Sequence, residues 1–159
     1  FADCKNGLIQ NPQLLKTIER RVLVHKIPFL GICVGHQMLA SYGFEHKIIT
    51  EGFNWIEGNV VPILPRTHNL KRPHMGWNSL FFDQEHYLFK GIDEGSDVYF
   101  VHSYHLVPND INERLSYTLY GHKITAAVIK NNIIGTQFHP EKSQKIGLKF
   151  IENFLNWTP

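Results

Sequence analysis

The sequence predicts an α/β fold built as one domain over residues 1–159. Three observations carry that reading. The composition, 43% hydrophobic and 19% charged over 159 residues, suits a single globular core. Helical spacing of apolar residues appears near both ends, and between them lie short apolar runs separated by turn residues. No repeat, low-complexity tract or linker divides the chain.

Taken in order, Asn11 and Pro12 form an N-cap and first helical residue, and Leu14, Leu15, Ile18, Val22 and Leu23 continue at helical spacing to near His25. Residues 27–32 are an unbroken apolar run of the kind found in a strand buried on both faces. A helix is expected over residues 37–42, closed by Gly43. Residues 44–72 are rich in Gly, Pro and Asn and suit loops around short strands, such as residues 59–64. Strands follow at residues 97–102, 116–120, 124–129 and 133–138, with turns at Gly121-His122 and Asn131-Asn132. A last helix presents Ile146, Phe150, Ile151, Phe154 and Leu155 on one apolar face, with Ser143 as its cap.

Charge and cysteine content narrow the function classes. The formal charge is +2, and only Arg20 and Arg21 approach a cluster, which argues against a nucleic-acid footprint. Two cysteines, Cys4 and Cys33, are too few for a stapled secreted scaffold and fit free thiols in a reducing cytosol. His25, Lys26, His36 and Gln37 interrupt the longest apolar stretch, residues 22–40, so it is not a membrane span. No signal peptide is visible, and the Asn156-Trp157-Thr158 acceptor pattern is then a chance match. The chain opens at Phe1 without an initiator methionine, which points to a start inside a longer protein.

Gly31-Ile32-Cys33-Val34-Gly35 lies between the buried run and the following helix, in the G-x-nucleophile-x-G form of a strained strand-to-helix elbow with Cys as nucleophile. The glycines permit the sharp turn, and the helix starting after Cys33 is expected to favour thiolate over thiol. A lone cysteine is also often just a small buried hydrophobe. At the end of the 133–138 strand stands His139-Pro140-Glu141. If the chain stays extended through Pro140, the carboxylate and imidazole project to one side and complete a nucleophile, base and orienter. Taken separately, His139 is equally a loop histidine and Glu141 a helix N-terminal acid. His102 and His105 lack a third convincing ligand, so neither a metal nor a cofactor is expected.

Gly31 to Gln37 (Gly-Ile-Cys-Val-Gly-His-Gln) together with Phe138-His139-Pro140-Glu141 resembles the class I (triad) glutamine amidotransferases. Three further segments resemble the branch of glutaminase subunits that serve imidazole glycerol phosphate synthases: Pro73-His74-Met75-Gly76-Trp77-Asn78, Tyr99-Phe100-Val101-His102-Ser103-Tyr104 and Lys142-Ser143-Gln144. The resemblance covers nearly the whole chain. It implies an open, mostly parallel sheet with flanking helices and an additional antiparallel strand region. It also implies Cys33, His139 and Glu141 as the triad that releases ammonia from glutamine. Gly35, Gln37, His102, Ser103 and Tyr104 would then meet the bound glutamine, and Val34 N–H would face the oxyanion. Ammonia would pass to a (β/α)8 synthase subunit, making a cytoplasmic heterodimer for histidine biosynthesis, with Trp77, Asn78 and Lys142 toward that partner.

The family's second oxyanion donor comes from a Gly-rich loop near the N-terminus that is not present from Phe1 onward. Losing one such donor costs about 100- to 1000-fold in rate, so this chain alone is expected to be nearly inactive and its first sheet edge poorly covered. Two alternatives share the fold. Gly52-Phe53-Asn54-Trp55-Ile56 and Tyr120-Gly121 resemble a paralogous branch that supplies ammonia to a nucleotide sugar for surface polysaccharides. A Cys-His-Glu peptidase or γ-glutamyl hydrolase is disfavoured by the 73–78 and 99–104 segments.

Overall fold

The computed structural model describes residues 1–64 and 70–159. Helices α1 (Ala2–Ile9) and α2 (Pro12–Glu19) lead into strand β1 (Phe29–Ile32) and the single-turn helix α3 (Val34–Gln37). Strands β2 (Tyr42–Glu45), β3 (Ile48–Glu51), β4 (Gly58–Pro62), β5 (His74–Ser79), β6 (Phe81–Phe82), β7 (Asp97–His102) and β8 (Tyr104–Pro108) follow. Strands β9 (Arg114–Leu119), β10 (Lys123–Lys130) and β11 (Ile133–Thr136) come next, and helix α4 (Gln144–Leu155) closes the order.

Local chemistry sets several of these boundaries. Asn11 Oδ1 accepts from Leu14 N–H at 3.2 Å and Pro12 occupies the first helical turn, as their order in the sequence predicts. Beyond Glu19 the helix widens into a π-helical turn over Arg20–Val24. Its exit is pinned by buried Asn132, whose Nδ2 donates to Val22 O at 2.9 Å and Ile27 O at 2.8 Å. One side chain from the β10–β11 turn thereby fixes where α2 ends and β1 begins.

The main sheet runs β1-β11-β10-β9-β6, with β1 at its edge. Among the described residues only β1 and β11 are parallel in it, Phe29 opposite Ile133 through Ile32 opposite Thr136. The expected mostly parallel sheet is therefore mixed. The α/β class stands, but the short turns at residues 120–122 and 131–132 return the chain directly beside itself, which only an antiparallel pairing permits. A second sheet runs β3-β2-β4-β8, and β5 pairs antiparallel with β7. One core cluster, including Leu80, Phe100, Phe138 and Phe150, lies beneath α4; the other gathers Val22, Leu39, Ile56, Leu106 and Ile133.

Two helical expectations are corrected. The helix predicted over residues 37–42 is instead α3, which ends by Met38, and Gly43 lies inside β2 opposite Thr50 and Val60. The reason is competition for carbonyls. Those of Met38, Leu39 and Ala40 accept N–H groups from Phe53, Trp55, Ile56 and Asn54, so the helix cannot propagate. Gly43 also gives room to the Phe1 ring, which a Cβ would meet at 2.8 Å. In α4, Leu155 is exposed, while Gly147, Phe150 and Asn153 form the buried face. Asn153 replaces it as an inward residue because its Nδ2 satisfies Leu88 O and Lys90 O at 2.9 and 2.8 Å. Of the loop-rich span 44–72, residues 65–69 lie outside the described residues, and the strand expected at 59–64 is β4.

Candidate active site

Cys33 sits between β1 and α3 with φ 52° and ψ −106°, a conformation that a side-chain-bearing residue keeps only when its surroundings enforce it. The enforcement is visible on both sides. Cys33 N–H donates to Thr136 O at 2.8 Å, and Cys33 O accepts from Gln37 N–H at 3.1 Å. A Cβ on Gly31 would meet Gly35 O at 2.6 Å and His36 N at 2.9 Å, and one on Gly135 would meet His36 Nδ1 at 2.5 Å. Gly31 and Gly135 thus let α3 lie directly on β1 and β11. A Cβ on Gly35 would meet nothing within 4 Å, so that residue's place in the motif is not a matter of space.

His139 follows the strand beside Cys33's own. Because β1 and β11 are parallel and in register, the chain beyond each leaves the sheet at the same edge. His139 N–H donates to Tyr99 O at 2.9 Å, and its Nδ1 lies 2.7 Å from Glu141 Oε1. His139 Nε2 is buried with no hydrogen-bond partner among the described residues. The expected His-Glu pairing forms, but not through an extended chain. Residues Pro140–Lys142 make a 3₁₀ turn. Ser143 holds it: its Oγ donates to His139 O at 2.7 Å and accepts from Tyr99 N–H at 3.0 Å. That occupation corrects the expectation of Ser143 as a side-chain cap for α4, where it makes no capping bond.

The electrostatics also differ from expectation. Burial pushes the Cys33 thiol above its ordinary 9.0; the Val34 N–H opposes this, the Glu141 carboxylate adds to it and Lys142 offsets part. A single helical turn is a short dipole and desolvation outweighs it, so the shift runs opposite to the expected tilt toward thiolate.

A cleft of about 410 Å³ opens beside the sulfur, lined by Cys33, Val34, Gln37, His102, Ser103 and Tyr104 among others, with Gly35 outside the lining. Gln37 is buried, and its Nε2 donates to Tyr104 O at 3.0 Å and Gln137 Oε1 at 2.9 Å. Both hydrogens of that amide are engaged inside the protein. Gln137, in turn, brings Nε2 to 3.8 Å from Cys33 Sγ. Sequence reasoning missed Gln137. Its one signal was a polar residue closing an apolar strand just before His139.

Away from the cleft, exposed Trp77 meets Tyr99 edge-on at 5.8 Å between ring centroids, and Lys142 Nζ lies 5.9 Å from the Tyr99 ring. Asn78, expected on the same surface, is half-buried. Its Nδ2 turns inward to Leu119 O at 3.0 Å and His74 Nε2 at 3.1 Å. His102 faces His74, and among the described residues no group of three or more His, Cys, Asp or Glu side chains could hold a metal. Cys4 is exposed on α1 rather than part of the packed structure.

Residues 8–157 match the model of the family described as glutamine amidotransferase class-I. The chain is 50% identical over 159 residues to the imidazole glycerol phosphate synthase subunit HisH of Cereibacter sphaeroides, and 49% identical over 160 residues to the protein of that name from Rhodospirillum rubrum. Each match takes in 100% of this chain and 74% of the relative. Among solved structures, a glutamine amidotransferase from Thermotoga maritima superimposes with a TM-score of 0.58 at 19% identity, over 92% of this chain and 56% of that one, a likeness of fold.

Proposed function

Because the chain belongs to the class-I glutamine amidotransferase family, we propose that Cys33 is its nucleophile, His139 its general base and acid, and Glu141 the group that orients His139. The chain is a glutamine amidotransferase, the glutaminase subunit of an imidazole glycerol phosphate synthase serving histidine biosynthesis. The observation that carries the assignment of roles is the 2.7 Å contact of His139 Nδ1 with Glu141, at the sheet edge where the strained Cys33 elbow emerges.

Glu141 fixes the tautomer that leaves His139 Nε2 bare. A thiol whose pKa is raised needs that base, so the proton passes to Nε2 as sulfur attacks the side-chain amide carbon of glutamine. Val34 N–H, already directed at Cys33, faces the developing oxyanion. His139 returns the proton to the departing nitrogen, ammonia leaves, and water activated by the same imidazole hydrolyses the glutamyl thioester to glutamate. Ser103 and Tyr104 form the wall that receives the substrate's α-carboxylate and amino end, while Gln37 supports that wall from behind.

As a synthase subunit the chain works with a partner. A (β/α)8 cyclase subunit that receives the ammonia is the partner of choice, docking on the face that carries Trp77, Tyr99 and Lys142. Work in the cytoplasm fits this role; among the described residues, no helix is long and apolar enough to cross a membrane.

Glutamate release by the full-length protein, measured with and without the synthase subunit, tests the reading. Turnover should rise when the partner is added, and Cys33→Ala should lower it at least about 10⁴-fold, as loss of a nucleophile does. Retention of turnover by Cys33→Ala would remove the triad assignment.

A further inference from the structure

A chain of hydrogen bonds with a fixed direction runs behind the cleft wall. Asn78 Oδ1 accepts from Ser79 N–H at 2.9 Å, which orients the amide, and its Nδ2 donates to Leu119 O and to His74 Nε2. His74 Nδ1 lies 2.9 Å from His102 Nε2, and His102 Nδ1 lies 2.8 Å from Tyr104 O. Both ends are unambiguous. A carbonyl only accepts, so His102 Nδ1 carries hydrogen; a neutral His102 then has a bare Nε2, which requires hydrogen on His74 Nδ1. That leaves His74 Nε2 bare, as the Asn78 donor demands. Every link agrees with the next only if both rings are neutral Nδ1–H tautomers.

Both histidines are buried, and desolvation holds them neutral, His74 with its pKa lowered to about 4 and His102 to about 3. His74 is also clamped between Phe100 and Tyr120, at centroid distances of 4.8 and 4.1 Å. Tyr104 O accepts a second bond from Gln37 Nε2, so the carbonyl that ends the relay is locked from two directions.

We infer that His74 and His102 are positioning residues for glutamine binding: a neutral imidazole relay that fixes the Ser103–Tyr104 wall of the cleft and ties it to β5, the strand bearing Trp77. This deepens the functional reading above and rests on it, since Ser103 and Tyr104 matter to binding only if glutamine occupies that cleft. A pair that served packing alone would need the rings' shape but not their hydrogen-bond direction.

Two measurements on the full-length protein test the inference, the kinetic one in complex with its synthase subunit. Imidazole ¹⁵N spectra at neutral pH should show Nδ1–H tautomers at both positions; an Nε2–H tautomer at either would break the chain and overturn the proposal. His74→Phe keeps the stacking but removes the donor, and should raise KM for glutamine about five- to tenfold while kcat changes less than about twofold. His74→Asn places an amide N–H near the Nδ1 position and should bring KM back to within about threefold of wild type, whereas His74→Gln, which mimics Nε2, should not. Unchanged KM in folded His74→Phe overturns the positioning role. If the wild-type complex releases no glutamate, the functional reading fails and the binding role falls with it, while the tautomer spectra still judge the relay itself.

Discussion

At Cys33 two glycines flank the nucleophile in sequence, yet packing separates them. Gly31 leaves no room for a methyl group, because the obstructing atoms are Gly35 and His36 backbone, which cannot swing aside. Gly35 faces open space. Gly31→Ala should cost about 1–3 kcal/mol of stability through overpacking and shift the elbow, which is expected to lower glutaminase turnover more than about tenfold. Urea unfolding and glutamate release read the two effects separately, and an alanine tolerated on both counts would contradict the close approach of α3 to β1. The elbow was legible in the sequence because its parts are contiguous: Gly31, Cys33 and the start of the helix lie within one turn. The relay was not. His74, Asn78, His102 and Leu119 become neighbours only through β5, β7 and β9, and nothing in local spacing pairs them. Gln137 was hidden for the same reason, since its partners Gln37 and Cys33 arrive from 100 or more residues earlier in the chain.

At the level of elements, strands with clear turns at both ends were legible, as β7 at Asp97–His102 and the β9–β10–β11 meander show. What failed was helix length after Cys33. Gln37, Met38, Leu39 and Ala40 have good helical propensity, but the segment around Phe53–Ile56 takes the carbonyls that a longer helix would need. Tertiary competition overrode propensity there. The 3₁₀ turn at Pro140–Lys142 is a gentler case: its chemistry was legible and its geometry was not, because the turn is imposed by Ser143 reaching back to His139 and across to Tyr99. Ser143→Ala should therefore loosen the turn that carries Glu141. Loss of two bonds to a buried hydroxyl costs about 1–3 kcal/mol, and misorientation of the His139-Glu141 pair should lower kcat about ten- to a hundredfold. The check is kcat beside the rate of Cys33 alkylation: because the thiol relies on His139 as its base, both should fall together, and an unchanged kcat in folded Ser143→Ala would mean that the His139-Glu141 pair does not depend on Ser143.

Across the whole molecule, the α/β class was legible from alternating helical and apolar segments, while the mixed sheet was not, since strand direction depends on turns that only the folded chain reveals. Nor could composition show how many histidines the fold buries. His36, His102 and His105 are buried and each has its pKa lowered to about 3, first by desolvation and then by neighbouring histidines, with Arg114 also acting on His105. In the unfolded chain each returns to about 6.5. Between those values the unfolded state binds protons that the folded state refuses, so stability is fully present above about pH 6.5 and is lost as pH falls toward about 3. Each group removes about 1.4 kcal/mol per pH unit across that window. Because all of them act in the same direction, stability is expected to fall as pH drops below about 6.5. Urea midpoints measured at steps from pH 7.5 to 5 should fall steeply below about pH 6.5, well before carboxylates titrate. His36→Asn removes one of the titrating rings, and since His74, with its pKa lowered to about 4, titrates beside the other three, the variant should make the dependence on pH shallower by no more than about a quarter, whatever it does to stability at neutral pH. A midpoint that stays flat down to pH 5 would mean that these rings are charged or hydrated in the native protein, and that the neutral, desolvated interior around the cleft does not exist.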